Sequence, residues 1–329
     1  MEKIGAGYRL WALRNHAKEF LMVSTTLSVF GCLVIIATYA LYKDIRSSSR
    51  HIIVCISIAD LVVSLSNLAA DFLPPAIHDA CILQSFVSST ALLASFMWTL
   101  FLAIFLYISL VLEKPFTARA LIHPWFHLVC WLLPLVINMV ALCTRNLGNN
   151  NDLAVSGWCW IEIPESDTVD IKRVILWMFL DGKGLEIITY LIILLIYIRI
   201  KIHLRKQIRH FERKQSFYTG AMTSLSLDAV RTIDQKLVLI PICYIMLRIW
   251  GTIRFLMYVL GKEQHGSLPF LMIMQAIGDN LVGFCNCIFF CFLTPKVRNH
   301  IKQSKLCTLH FKKKETETHH PSSGRLKES

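Results

Sequence analysis

Charged residues are scarce in this chain, and apolar residues are abundant. Asp, Glu, Lys and Arg together make up 17% of the 329 residues, hydrophobic residues make up 55%, and the mean hydropathy is +0.52. Because an average soluble domain carries about 25% charged residues, this composition excludes an ordinary water-soluble protein. We therefore expect lipid to surround most of the chain.

Motifs of the common enzyme classes are also missing. The sequence contains no His-Glu-x-x-His string, no P-loop, no dinucleotide fingerprint and no Asn-x-Ser/Thr glycosylation acceptor. We predict that the protein is not an enzyme, and we expect no cofactor and no metal site. No small-residue cleavage site is found at the first apolar stretch, which is also long for a signal peptide, so we expect it to be inserted uncleaved.

Seven apolar stretches are each long enough to cross a bilayer. A hydrocarbon core of about 30 Å needs roughly 20 apolar residues of helix, because only a helix satisfies its own backbone hydrogen bonds in lipid. The stretches are 20–42, 51–73, 81–112, 121–143, 174–199, 235–260 and 268–292. The sequence predicts an all-α membrane protein, with a tail at 1–19 and a seven-transmembrane helix bundle over 20–293.

Lys and Arg are unequally shared between the two sets of loops. Alternate segments, at 43–50, 113–120, 199–236 and 293–329, hold 23 of these residues, whereas the remaining segments hold eight. Cytoplasmic loops of membrane proteins are enriched in Lys and Arg, so this bias predicts an extracellular N-terminus and a cytoplasmic C-terminus. The net charge of +12 then favours contact with anionic inner-leaflet lipids. We do not expect nucleic acid as a partner. The basic residues are not interleaved with aromatic ones, and they are not accompanied by a zinc-finger motif.

The segment after the seventh stretch predicts a short helix on the membrane surface. Residues 294–311 combine basic side chains with scattered apolar ones, a composition typical of interfacial helices. Cys307 is either a palmitoylation site or an ordinary reduced thiol. From 312 to 329 the chain is poor in apolar residues, and we expect disorder in the cytoplasm.

Two of the eleven cysteines differ from the rest in position. Most lie inside the apolar stretches, where a thiol usually serves as a small buried group. Cys81 begins the third stretch on the outer side, and Cys159 lies in the long loop before the fifth, in an oxidising compartment. We predict a disulfide between them, with Cys143 as the competing partner.

Charged and amide side chains inside the apolar stretches are the next functional indication. A charge near the bilayer centre costs at least about 2.5 kcal/mol, so these groups should face the bundle interior and find partners. Asp60 lies in the middle of the second helix, near Ser57 and Ser64 on the same face. Its carboxylate is either a hydrogen-bonded packing group, or a conformational switch or cation-binding site. Asp279 and Asn286 are two turns apart on one face and could share its network.

The fifth and sixth stretches carry the other buried charges. Lys183 and Glu186 are i, i+3 neighbours and form either a self-neutralising pair or a ligand contact. Arg248 lies near mid-membrane and needs a carboxylate, for which Asp279 and Glu186 are the candidates. Arg254 lies nearer the outside, where it either snorkels or, with Trp160, contributes to an anion- or aromatic-binding pocket. The ligand itself is not predicted.

Pro241 predicts a hinge in the sixth helix. Proline lacks the backbone donor and clashes with the carbonyl four residues earlier, so the cytoplasmic end should kink there. We expect movement about this hinge to be the conformational change of the bundle. The glycines at 182 and 184 similarly predict a weakened helix within the fifth stretch, by about 1 kcal/mol each.

Several local strings support a family resemblance. Residues 57–61, 95–99, 131–135 and 283–286 read SIADL, SFMWT, WLLPL and GFCN. With seven spans and paired outer cysteines, the chain resembles a G-protein-coupled receptor of the cyclic-AMP-receptor-like group. The resemblance covers about residues 20–310. It implies an extracellular agonist, a heterotrimeric G protein as partner, and receptor kinases and arrestin as further candidates, in the plasma membrane or a specialised membrane such as a cilium.

The resemblance also implies where the G protein docks. The coupling surface would lie on the cytoplasmic extension of helix 5 and the start of helix 6, over 200–210 and 231–238. Its candidate residues are Ile200, Leu204, Arg205, Ile208 and Lys236. Apolar residues at 200, 204 and 208 form one stripe among basic ones, which is typical of an amphipathic extension.

Two departures separate the chain from rhodopsin-like receptors. Helix 3 ends without an Asp/Glu-Arg-Tyr triplet, and helix 7 has no Asn-Pro-x-x-Tyr. An activation mechanism based on an arginine contact at the cytoplasmic end of helix 3 therefore cannot be assumed.

Two other classes of seven-helix protein were considered. The last apolar stretch has no lysine for a retinal Schiff base, which excludes a retinal pump. A transporter or channel is the alternative function, although the matched helix breaks of an inverted repeat are missing.

Overall fold

Seven helices long and apolar enough to cross a membrane make up most of the computed structural model. It describes residues 2–72, 78–114, 124–148, 159–163, 170–215, 239–260, 269–293 and 297–298. The helices are α1 (Glu2–Leu41), α2 (Ser48–Phe72), α3 (His78–Leu110), α4 (Pro124–Cys143), α5 (Ile171–Met178, Phe179–Lys183 and Gly184–Gln215), α6 (Leu239–Val259) and α7 (Pro269–Leu293). The predicted fold class is confirmed.

Two helices reach well beyond their apolar stretches. α1 begins at Glu2, so its first turns precede the apolar run that starts near residue 19. α5 continues to Gln215, through the basic segment that follows its apolar run. A short 3₁₀ helix, Lys43–Ile45, connects α1 to α2 and is followed by Arg46. The Arg46 guanidinium donates to the carbonyls of Tyr39 and Ala40. These bonds satisfy carbonyls left free at the end of α1.

Small residues bring α1 and α7 into close contact. A Cβ atom on Gly31 would lie 2.8 Å from the Cα of Phe284, and the backbone amide of Gly283 donates to the Ser28 hydroxyl over 3.0 Å. In lipid, helices associate through close packing and interhelical hydrogen bonds rather than by a hydrophobic driving force. This crossing is therefore a fixed part of the bundle.

α5 is interrupted at the place where the sequence has two glycines. Phe179–Lys183 forms a π-helical turn, and a Cβ on Gly184 would lie 2.7 Å from the Phe179 carbonyl oxygen. Glycine is needed at 184 because the wider turn brings that carbonyl against its Cα. Such π-turns are frequent at functional sites. This one directs Asp181 and Lys183 into the bundle, where both are buried.

The largest group of buried apolar side chains lies at the end of the bundle where α2 and α4 begin. Trp98, Ile53 and Phe290 are fully buried there, and Val297 packs against the same group from beyond α7. On the periphery, α4 presents an apolar outer face that includes Trp125, Leu132 and Val136, as a lipid-facing helix should. Lys236, Cys307, the side chain of Ile208 and most of the expected interfacial helix lie outside the described residues.

Candidate functional site

A disulfide fixes the loop between α4 and α5 to the first turn of α3. Cys81 and Cys159 are joined, with their Cα atoms 5.5 Å apart, whereas Cys143 is a free, exposed thiol. The predicted pairing is confirmed. Beside it, β1 (Leu147–Gly148) pairs antiparallel with β2 (Trp160–Ile161).

Polar contacts extend this attachment into the bundle. The Cys159 amide donates to Gln84 Oε1 over 2.7 Å, and the Ser85 hydroxyl donates to the Trp160 carbonyl over 2.7 Å. Trp160 is one of the predicted pocket residues, and its indole Nε1–H donates to Asp181 Oδ2 over 2.8 Å. The loop is thereby linked to the π-turn of α5, where Asp181 is fully buried.

Removing the disulfide should uncouple the loop. We expect Cys81→Ser to lower stability by about 2–4 kcal/mol, because the crosslink closes a long loop in the unfolded chain. The result would be reduced surface expression and a lower melting temperature in detergent. Cys143→Ser is the matched control and should leave both unchanged. Equal losses in the two variants would contradict the assignment.

Lys183 and Glu186 form a buried ion pair one turn apart on α5. Lys183 Nζ lies 2.6 Å from Glu186 Oε2, and the Tyr190 hydroxyl donates to Glu186 Oε1 over 2.5 Å. Tyr190 in turn lies 3.5 Å from the Thr252 hydroxyl of α6. Both Glu186 oxygens thus have donors, which is what a buried carboxylate requires.

A second buried ion pair joins α6 to α7. Arg248 Nη1 lies 3.8 Å from Asp279 Oδ1, and Nη2 donates to the Asp279 carbonyl over 3.4 Å. The guanidinium carbon also lies 4.9 Å from the centre of the Phe96 ring, within the range of a cation–π contact. Arg254 donates from Nη1 to Gln275 Oε1 over 2.6 Å and is 4% exposed, so it is buried in the bundle and does not snorkel.

Gly251 is the point at which these pairs meet. A Cβ built there would lie 3.1 Å from Lys183 Nζ, 3.2 Å from Gln275 Nε2 and 3.3 Å from Asp279 Oδ2. Groups from α5, α6 and α7 therefore converge on one small space. We call these residues the three-helix polar cluster: Lys183, Glu186, Tyr190, Arg248, Gly251, Thr252, Arg254, Gln275 and Asp279.

A separate network surrounds Asp60 in the middle of α2. The Ser95 hydroxyl donates to Asp60 Oδ1 over 2.6 Å, and Asn286 Nδ2 donates to Oδ2 over 3.2 Å. Ser57 instead donates to the Ile53 carbonyl of its own helix. Of the two α7 residues expected to join Asp60, the structure brings only Asn286 into hydrogen-bond contact, since Asp279 pairs with Arg248.

Sequence reasoning missed an amide network that connects the disulfide loop to the bundle. Asn67 donates to Asn280 over 2.8 Å and accepts from Gln84 and Ser88 over 3.2 Å each. Gln84 also accepts from the Cys159 amide, so α2, α3, α7 and the loop share one chain of hydrogen bonds. Amides inside apolar stretches were the available signal, because each needs a partner in lipid.

The residues of the expected G-protein surface fall into different environments. Ile200 is 2% exposed and belongs to the core of the bundle, and Leu204 packs against that core. Ile200 is therefore covered by the bundle in this conformation, and its place on the coupling surface stays a prediction. Arg205 is exposed.

Pro241 is the third residue of described α6. The chain on the far side of the expected hinge, at 235–238, lies outside the described residues. The hinge stays a prediction.

A contact at the foot of α3 was not expected from the sequence. Glu113, with a φ of 53°, lies just beyond α3 and accepts from Gln207 Nε2 over 2.8 Å. His203 Nε2 lies 3.8 Å from the same carboxylate oxygen. This contact joins the end of α3 to the α5 extension. It lies at the end of helix 3, where rhodopsin-like receptors have the Asp/Glu-Arg-Tyr triplet that this chain lacks.

The seven helices, the disulfide from α3 to the following long loop and the buried charges define a multi-pass membrane protein of the seven-helix receptor class. Squid rhodopsin has the same fold: the match has a TM-score of 0.67, covers 96% of this chain and 88% of that chain, and has 16% sequence identity. The family model of the slime mold cyclic AMP receptor matches residues 12–180. The chain belongs to the cyclic-AMP-receptor-like family of seven-helix receptors.

Longer similarities lie with G-protein coupled receptor 157. The Homo sapiens protein is 33% identical over 290 residues, covering 86% of this chain and 82% of that protein. The Mus musculus protein is 32% identical over 290 residues, covering 86% and 84%. Cyclic AMP receptor 4 of Dictyostelium discoideum is 25% identical over 153 residues, covering 45% of this chain and 33% of its own length. The resemblance drawn from the sequence strings is confirmed.

Proposed function

We propose that this protein is a receptor in which a ligand reaches the three-helix polar cluster from outside and controls a heterotrimeric G protein inside. The observation that carries the proposal is the pair of buried ion pairs, Lys183–Glu186 and Arg248–Asp279, that meet at Gly251. Buried charges in a membrane are costly and are usually retained for function. Family membership supports the receptor class over a transporter or channel.

The cluster supports a ligand with an anionic or aromatic group. Lys183 and Arg248 provide cations, and Trp160 and Phe96 provide rings nearby. An anionic group that entered beside Gly251 would compete with Asp279 and Glu186 for these cations. A ligand shifts a conformational equilibrium only if its contacts differ between the two states, and exchange of ion-pair partners would supply that difference.

Activation would then involve movement of α6. The α6 helix is held to α7 by Arg248–Asp279 and approaches α5 through Thr252 and Tyr190. We propose that release of these contacts lets α6 move about Pro241. A cleft would open beside the α5 extension, where Leu204, Arg205, Ile208 and Lys236 would contact the G protein, and receptor kinases and arrestin would recognise the same activated surface.

The proposed location is the plasma membrane, with the N-terminus outside and the C-terminus in the cytoplasm. The distribution of Lys and Arg supports this orientation. On the described α5 extension, Lys201 and Arg209 are exposed and would lie near anionic inner-leaflet lipids. A cilium is one specialised membrane that this proposal allows.

Loss of the Glu113 contact should raise basal signalling. Glu113→Ala removes the acceptor that ties the foot of α3 to Gln207 and His203, so the α5 extension would move more freely. Because the contact is exposed, its strength is at most about 1 kcal/mol, and we expect no more than about a fivefold rise in agonist-independent nucleotide exchange. Lys114→Ala, at the neighbouring exposed position, should leave the rate unchanged. A lower or unaltered rate in Glu113→Ala would argue against a restraining role.

The function is tested by reconstituting the full-length protein in lipid nanodiscs with purified G proteins of each class. We expect accelerated binding of a labelled, non-hydrolysable GTP analogue to at least one class, relative to empty discs. Arg248→Met, in discs matched for receptor content, should change that rate if the ion pair sets the conformational balance. No acceleration with any class, by the parent protein or by Glu113→Ala, would contradict coupling.

A further inference from the structure

A second cluster of reactive side chains lies at the end of the bundle where α2 and α4 begin. His51 and Cys55 are one turn apart near the start of α2, and His127 lies in the first turn of α4. The two imidazole Nε2 atoms are 3.2 Å apart, and Cys55 Sγ is 3.9 Å from His51 Nε2. All three potential ligand atoms lie within 4.8 Å of one another. None of these residues belongs to the three-helix polar cluster.

We propose that His51, Cys55 and His127 form a binding site for a divalent transition metal of the Zn²⁺ type. Imidazole nitrogen and thiolate sulfur are the ligands that Zn²⁺ prefers, at about 2.0–2.1 Å and 2.3 Å. Around a tetrahedral ion, these lengths place two nitrogens about 3.3 Å apart and a nitrogen and a sulfur about 3.6 Å apart. Two of the three separations, 3.2 Å and 3.9 Å, are close to these values. The third, between Cys55 Sγ and His127 Nε2, is up to 4.8 Å and would shorten when the ion binds.

Burial differs among the three ligands in a way that suits an accessible metal site. Cys55 is 5% exposed, whereas the two imidazoles are only partly buried. The two imidazoles are therefore the accessible ligands, and the thiol is the buried one. Three protein ligands leave a fourth position for water or another small donor.

Surrounding side chains hold the imidazoles in a metal-binding orientation. The Tyr39 hydroxyl lies 3.5 Å from His51 Nδ1, which leaves Nε2 directed at the cluster. The ring of the fully buried Trp98 packs against His127 with centroids 4.7 Å apart. Metal-bound histidines characteristically have their other nitrogen engaged and their ring orientation fixed in this way.

The site connects two helices that are far apart in sequence. A bound ion would join the start of α2 to the start of α4 by covalent-like bonds, over the buried Trp98 of α3. It would favour whichever bundle conformation keeps the two imidazoles in contact. Under the proposed orientation, the site lies at the cytoplasmic end and would respond to intracellular zinc.

The test is a Co²⁺ titration of the full-length protein in lipid nanodiscs under reducing conditions that leave the Cys81–Cys159 disulfide intact. We expect one equivalent of Co²⁺ to produce a thiolate-to-cobalt charge-transfer absorption, which Zn²⁺ then removes by displacement. Cys55→Ser should abolish this absorption. His51→Asn and His127→Asn should weaken Co²⁺ binding at least ~10-fold, since loss of an outer-shell partner alone costs that much.

Two matched variants give the controls. Cys130 is a fully buried thiol one turn along α4 from His127, and His203 is a histidine on the α5 extension. Cys130→Ser and His203→Asn should retain the absorption and the affinity. A parent protein without the absorption would overturn the proposal however the variants fold, and would assign the cluster to a simple imidazole–imidazole hydrogen bond. Loss of the absorption in Cys130→Ser, with retention in Cys55→Ser, would overturn it as well.

Discussion

Gly278→Ala is expected to prevent α6 and α7 from packing together. A Cβ at this position would overlap the carbonyl oxygen of Leu247 and lie 2.9 Å from its carbonyl carbon. These are backbone atoms, so no side-chain rotation relieves the clash, and the two helices must separate. Overpacking of this kind typically costs about 1–3 kcal/mol, and a backbone clash should lie at or above the upper value.

Helix propensity alone predicts that Gly278→Ala would stabilise the protein, which is the opposite of the effect expected here. In an isolated helix, alanine is more favourable than glycine by about 1 kcal/mol, so a stabilised protein would be the result without the interhelical contact. Separation of the helices would also pull Arg248, next to Leu247, away from Asp279, next to Gly278. We therefore expect loss of surface expression together with loss of nucleotide exchange.

Gly182→Ala is the matched control for this experiment. The nearest atom to a Cβ at 182 would be Trp160 Cζ2 at 3.4 Å, which is an ordinary contact with a side-chain atom rather than a backbone clash. We expect surface expression and the melting temperature in detergent to stay near those of the parent. Normal expression of Gly278→Ala would show that α6 and α7 are not in this close contact.

Breaking the Arg248–Asp279 pair should be the second large effect. Either Arg248→Met or Asp279→Leu leaves one buried charge without its partner, which typically costs about 3–5 kcal/mol. Arg248 is 4% exposed, so water cannot compensate for the loss. Surface expression of each single variant should fall steeply, whereas Arg209→Gln, at an exposed position on α5, should be neutral.

Two double variants separate stability from switching. The exchange Arg248→Asp with Asp279→Arg restores opposite charges and should recover surface expression lost in the single variants. The apolar pair Arg248→Met with Asp279→Leu should also recover folding, because a buried ion pair can be replaced by apolar residues at little cost. If the pair controls activation, the apolar double variant will reach the surface with altered nucleotide exchange. Failure of the charge exchange to recover expression would contradict the pairing.

Sequence reasoning reached the disulfide and the buried ionic residues for different reasons. Cys81 and Cys159 were identifiable because only a few cysteines lie at the outer end of an apolar stretch or in an outer loop, in the oxidising compartment. Lys183, Glu186, Arg248 and Asp279 stood out because charges within such stretches are rare. In both cases a residue type is unusual for the stretch of sequence around it, and this can be recognised without a structure.

Contacts between ordinary residues carried no such signal. Glu113 looked like one exposed acid among several, yet it joins α3 to Gln207. Ile200 fitted an amphipathic stripe, but the bundle covers it. Partners far apart along the chain, such as Asn67 and Asn280, are brought together only by helix packing.

The sequence by itself determined that this chain crosses the membrane seven times and buries several charges, because the length of an apolar run and the cost of a charge in lipid are local properties. Only the tertiary structure decided which charge meets which: Asp279 pairs with Arg248, Asn286 with Asp60, and His51 with His127. The rotation and separation of neighbouring helices fix these pairings, and both depend on close contacts such as the one at Gly278, which no local pattern encodes.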